Sequence, residues 1–245
     1  MLTCVACQWH LSSGDEAADT DRIAIERYDR LEHHFLTSGE VAALQQMNTA
    51  YPVQTRTLIE DVLRIGQVDD PDINVRFLSF FQDPTLQTLM GDVEKQYADM
   101  RDVEAELTEA FRRLSTMIPM LQPPLVYTQI GSLDQSIVVG DGMLGISLDK
   151  YLGFDHPVYL RYGYSERQRA MMKREFIVPD CLGFYLLGLY PFPDESHPDD
   201  HMAKIQYVVN KAIGRKLFQN EKVKAVEKSM AKTPGLTIDK LLSTY

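Results

Sequence analysis

Between residues 125 and 148 the chain changes its period. Leu125-Val126-Tyr127-Thr128-Gln129-Ile130 alternates apolar and polar residues, Gly131-Ser132-Leu133-Asp134 turns, and Gln135-Ser136-Ile137-Val138-Val139 alternates again. Gly140-Asp141-Gly142 makes a second turn, leading to Met143-Leu144-Gly145-Ile146-Ser147-Leu148. A period of two marks half-buried strands, and Gly, Ser and Asp clusters mark the turns between them. On both sides of this block the apolar spacing is helical. The pattern predicts an α+β fold, mostly α-helical, in a single domain over residues 21–245. A small antiparallel β-meander at about 125–148 is packed by helices.

The helical arms can be placed in outline. Ile23 and Ile25 suggest a short strand leading into a helical turn. Ser38 opens a helix to about Ala50, with Val41, Leu44 and Met47 on one face. Another runs from about Val53 to Ile65 and stops at Gly66. Phe77, Phe80 and Phe81 cluster at helical spacing, and Asp83-Pro84-Thr85 starts a helix over roughly 84–96. From about Asp99 to Met117, Val103, Leu107, Ala110, Phe111 and Leu114 repeat at three and four, and Pro123-Pro124 ends the run. Leu148 to Gly153 leaves the sheet as a helical turn, and Ser165 caps a helix near 165–173. The apolar stretch Phe176 to Tyr190, interrupted at Pro179, is too short to cross a bilayer and reads as a buried central helix. Helices from about Asp199 to Phe218 and on to about Ala231 follow, then a short one at Ile238–Leu242 capped by Thr237.

Hydrophobic residues make up 44 % of the 245 and charged residues 24 %, which is ordinary for a globular protein. The net charge of −10 argues against a general nucleic-acid binder. The charge is uneven: His201 to Lys232 holds eight Lys/Arg against two Glu. That stretch reads as a solvated basic helix face, with a partner-docking patch as the sharper alternative.

Leu2-Thr3-Cys4-Val5-Ala6-Cys7, followed by the polar run Ser12-Ser13-Gly14-Asp15-Glu16, has the form of the tail of a bacterial lipoprotein signal. In such a signal the last cysteine is acylated and becomes the mature N-terminus. Cys7 is then the lipid-attachment residue, and residues 1–20 are a signal remnant and flexible tether. Only six residues precede Cys7 and none is basic, so this reading expects a translated start upstream of Met1. The third thiol, Cys181, lies in an apolar segment and is expected to be a buried hydrophobe.

Motifs that carry chemistry are sparse. A zincin needs two histidines one helical turn apart with a glutamate between them. The one pair at that spacing is His197 and His201, in His197-Pro198-Asp199-Asp200-His201, where proline replaces the glutamate. With Asp194, Glu195, Asp199 and Asp200 it is a candidate metal group only if a metal is found; otherwise the acids cap the next helix. His33 and His34 are adjacent and point apart on any regular element. Asp69-Asp70-Pro71-Asp72 lacks the calcium-loop spacing. No Gly-x-Ser-x-Gly occurs, and Cys181 has no evident histidine partner. Asp141 and Asp149 are the remaining carboxylate pair near the strands. No cofactor and no catalytic residue is assigned.

Three blocks carry a family resemblance. They are Ser136 to Gly153, His156-Pro157-Val158-Tyr159, and Phe176-Ile177-Val178-Pro179-Asp180; Ile25-Glu26-Arg27-Tyr28-Asp29 adds an early match. Together they resemble the gliding-motility lipoprotein GldB family of Bacteroidetes. The resemblance implies a membrane-anchored cell-envelope lipoprotein, periplasm-facing or on the outer membrane, linked to surface motility and secretion. No nucleic-acid partner is expected, on the ground of the net charge given above. That family also looks like a distant relative of zinc metallopeptidase-like domains. The expected function is therefore non-enzymatic, through contacts with envelope proteins. The alternative is a divergent zincin-like metallopeptidase or other hydrolase.

Overall fold

The computed structural model describes residues 22–140, 142–192 and 198–243. In chain order the elements are β1 (Ile25–Glu26), α1 (Tyr28–Ser38), α2 (Val41–Ala50) and α3 (Pro52–Arg56), which continues as a π-helix (Thr57–Val62). α4 (Ile73–Phe80), α5 (Pro84–Gln96) and α6 (Arg101–Met117) complete the first helical arm. Then come β2 (Leu125–Gln129), β3 (Ile137–Gly140), β4 (Met143–Ser147) and a 3₁₀ turn (Leu148–Lys150). The second arm holds α7 (Pro157–Arg161), α8 (Glu166–Arg169), α9 (Ile177–Leu189), α10 (Pro198–Ile213), α11 (Glu221–Lys232) and α12 (Ile238–Ser243). The fold is α+β and mostly helical, as the periodicity predicts.

Local signals explain most boundaries. Asp83 accepts the backbone N–H groups of Thr85 and Leu86, so α5 begins where its first orphan donors find a carboxylate. Ser165 and Gln168 form a reciprocal capping box on α8, though that helix is shorter than expected. Val103, Leu107, Ala110, Phe111 and Leu114 of α6 are all buried, as their spacing requires. Pro179 sits in the first turn of α9, where the missing N–H removes no helical bond, so it does not interrupt the helix. Ser38 ends α1 instead of opening the next helix. Gly39 takes the left-handed conformation (φ 69°) and returns its N–H to Phe35.

The antiparallel meander is a correction. β3 and β4 form an antiparallel hairpin, but β2 pairs with β4 in parallel and β1 with β2 in parallel. The sheet order is β1-β2-β4-β3. The chain therefore passes from β2 over β4 to the far edge and returns to the middle. Two side chains account for this. Tyr127 lies opposite Gly145, and a Cβ at Gly145 would fall 2.5 Å from the Tyr127 ring and hydroxyl. Only a glycine lets β4 lie beside β2 under that ring. Asp149, just beyond β4, accepts the N–H of Gly131 at 2.7 Å and of Leu133 at 2.5 Å. It pins the β2–β3 connection across the carboxyl end of the parallel strands. Ser132 and Leu133 there have φ of 50° and 68°, a left-handed pair that these residue types seldom adopt. One core joins both arms to the sheet, with Tyr28, Phe77, Leu107, Leu114, Ile146, Leu186 and Val208 fully buried.

Candidate functional site

Of the metal candidate, His201, Asp199 and Asp200 lie among the described residues. His201, in the first turn of α10, is buried, and its Nε2 lies 2.8 Å from the carbonyl oxygen of Tyr190. A carbonyl only accepts, so that nitrogen carries the proton and offers no lone pair to a metal. Asp199 and Asp200 pair with Lys222 at 3.3 and 2.9 Å. His197, Asp194, Glu195, Asp141, Cys4 and Cys7 lie outside the described residues. No group of three metal-ligating side chains occurs among the described residues. α9, the helix packed against β3 and β4, carries no histidine. Among the described residues no zincin-type ligand set occurs. His33 faces Glu94 and His34 faces Glu40, so the adjacent histidines diverge.

The buried carboxylates hold backbone. Both oxygens of Asp149 serve the 131–133 loop. Glu32 of α1 accepts from the Ile130 N–H at 2.9 Å. Burial pushes Glu32 well above the ordinary carboxylate range, and the charges of Asp149 and Asp29 push it further. Its second oxygen and the carbonyl oxygen of the Gln129 side chain are buried without partners. Asp29 accepts from Thr128 and pairs with Arg27 at 2.7 Å. Cys181 is a buried free thiol raised by burial, in keeping with a core role.

Asp180, in the first turn of α9, accepts from the Tyr151 hydroxyl at 2.8 Å and is pushed up to about 6 by burial. Its folded pKa lies above its unfolded one, so its contribution to stability is present in acid and is lost as pH rises through about 6. Asp180→Asn keeps an acceptor for Tyr151 and removes this loss. The variant's Tm, minus that of the parent, is expected to be larger at pH 8 than at pH 4. Equal differences at both pH values in thermal melts would refute the assignment.

The concave surface with the most distinctive architecture runs along the sheet edge. A cleft of about 550 Å³ has all four residues of β3 on its floor, with Tyr127 and Met143 deeper in the sheet. Val53, Thr57 and Asp61 form one wall. Phe184, Leu187 and Gly188 of α9 form the other. The first wall spans α3 and the π-helix, at whose end Leu63 N–H bonds the carbonyl of Leu58, five residues back. Such wide turns are rare and recur at functional sites. α9 approaches β3 closely: a Cβ at Gly188 would lie 3.3 Å from Val139. Phe184 was expected in a buried helix but is 45 % exposed, and Val139 on the floor is 40 % exposed.

The β3 backbone leaves hydrogen-bonding groups free along this cleft. Ser147 N–H donates to the Ser136 carbonyl, and the hairpin pairs Val138 with Gly145 and Gly140 with Met143. Bonded and non-bonded pairs alternate in an antiparallel ladder, so residues 136, 138 and 140 bond inward to β4. The N–H and C=O of Ile137 and Val139 point outward. β3 has no other strand partner among the described residues. No sequence motif marks Thr57, Asp61, Tyr127 or Phe184; they meet only because the strand order places β3 at the edge.

The basic stretch lies on α10 and α11, around a groove of about 390 Å³. Lys216 pairs with Glu227 at 2.7 Å and Lys224 with Glu221 at 2.8 Å, so much of its charge is answered locally. No helix of the described residues is long and apolar enough to cross a membrane.

No curated protein and no solved structure matches the chain. A model of the family described as gliding motility protein GldB matches residues 13–220, a span that takes in the whole sheet, the cleft and α10 but not α11 or α12. With most of its length covered by that match, the chain belongs to the gliding motility protein GldB family, a family of cell-envelope lipoproteins.

Proposed function

We propose that this protein is a non-enzymatic cell-envelope component, held at the membrane by acyl chains on Cys7. It works by holding an extended segment of another envelope protein in the β3 cleft, within a motility- or secretion-related complex. The observation that carries this reading is the outward backbone of Ile137 and Val139 at the floor of a walled cleft. Strand addition to a sheet edge draws affinity from main-chain hydrogen bonds and specificity from the flanking walls. Family membership supports the setting; the cleft supports the mode of action.

Val139→Pro is the selective test. It removes one outward N–H and leaves the inward ladder of 136, 138 and 140 intact, and proline is tolerated where a strand N–H faces solvent. A photo-crosslinking residue placed at Phe184 in the native host is expected to give one discrete protein adduct. That adduct should vanish when Val139→Pro is added, at unchanged protein level and membrane yield. An adduct that survives the proline, or no adduct, would overturn the proposal. Stoichiometric zinc in purified protein, lost in His201→Ala, would overturn its non-enzymatic part.

A further inference from the structure

The two walls of the cleft differ in chemistry, and the difference specifies what enters it. Side chains of an added strand alternate between the two faces of the sheet. One set meets Phe184 and Leu187 of α9; the other meets Thr57 and Asp61 of the π-helix. Among the described residues, Asp61 is the one charged side chain lining the cleft. It is exposed, and its carboxylate has no ion-pair partner among the described residues. The neighbouring cations are directed elsewhere. Arg64 donates to the backbone carbonyl of Asp61 and lies 3.7 Å from Asp134, and Arg56 lies 3.6 Å from Glu60.

We infer that the occupant of this cleft is an extended protein segment of alternating pattern, apolar toward α9 and polar toward the π-helix, with a lysine or arginine opposite Asp61. This rests on the β3-edge reading above and adds the chemistry of the partner. Thr57 and Asp61 are four residues apart on one helix, so their side chains lie on the same face and line the cleft together. A β-branched or aliphatic side chain facing α9 covers the exposed edge of Phe184 beside Gly188. A glutamate opposite Asp61 places two carboxylates together at the cleft mouth, which opposes binding.

The test uses the full chain and three acetylated, amidated heptapeptides that alternate valine with threonine. The central threonine is replaced by lysine in one and by glutamate in another. Fluorescence anisotropy is expected to rank lysine above threonine above glutamate, with lysine over glutamate by roughly fivefold in Kd. Asp61→Lys is expected to reverse the order, and Val139→Pro to abolish binding of all three. Equal affinities that Asp61→Lys leaves unchanged, but that Val139→Pro still abolishes, would overturn the charge assignment and leave the cleft reading standing. Binding indifferent to Val139→Pro, or no binding of any peptide, would overturn both.

Discussion

Cys7→Ala is expected to move the protein from the membrane pellet to the soluble fraction of the native host, by more than roughly tenfold in the ratio of the two. The size of the effect follows from what else could hold the body at a bilayer. No helix of the described residues can cross one, and the net charge of −10 is repelled by anionic headgroups. One acyl chain gives only marginal, reversible binding, whereas a lipoprotein cysteine carries two or three, each buried CH₂ adding about 0.8 kcal/mol. On the proposed attachment at Cys7, anchoring is therefore close to all-or-none in this residue. Cys4→Ala provides the control: on the proposed anchoring Cys4 leaves with the signal, so its loss should change nothing. Metabolic labelling with palmitate reads the same point directly. An unlabelled polypeptide, or a Cys7→Ala variant that stays in the pellet, would refute the anchor.

Elements were legible where local physics decides them. α5 and α6 fall within about two residues of their expected limits because a carboxylate cap, a proline and a 3.6-residue apolar stripe all act within one helix. The strands were legible as strands for the same reason. Their order was not, because parallel pairing of β2 with β4 depends on contacts between distant residues. The absent side chain of Gly145 under Tyr127 and the reach of Asp149 to Gly131 and Leu133 leave no trace in periodicity. A Gly-Ser-Leu-Asp segment between two alternating runs has the composition of a hairpin turn, and only its tertiary anchor makes it a crossover.

The cleft was illegible for a related reason. Phe184 belongs to a stretch so uniformly apolar that composition assigns all of it to the core, yet one face of α9, with Phe184 and Leu189, stays exposed. Asp61 reads as one more surface acid until the tertiary fold brings its helix face to the same cleft as Phe184. In contrast, two residues that resemble chemistry in the sequence hold backbone groups in the structure. Asp149 clamps a loop, and His201 caps the carbonyl of Tyr190.

Asp149→Ala is expected to be the most destabilising single substitution at the sheet, by roughly 3 kcal/mol. Two buried N–H groups, of Gly131 and Leu133, lose their acceptor, each at about 1–3 kcal/mol. Removing a buried carboxylate whose pKa burial has raised offsets part of this. In a domain of this size the loss corresponds to a fall in Tm of roughly 6–12 °C. Asp149→Asn keeps one acceptor oxygen and should fall between the parent and the alanine variant. The effect should also reach the cleft, because the loop that Asp149 fixes delivers Gln135 and β3 to the sheet edge. Amide exchange checks this: the N–H groups of Gly131 and Leu133 should lose protection in Asp149→Ala, with those of α6 least affected. A melting temperature within about 2 °C of the parent would show that the left-handed pair Ser132 and Leu133 is held by something other than this carboxylate.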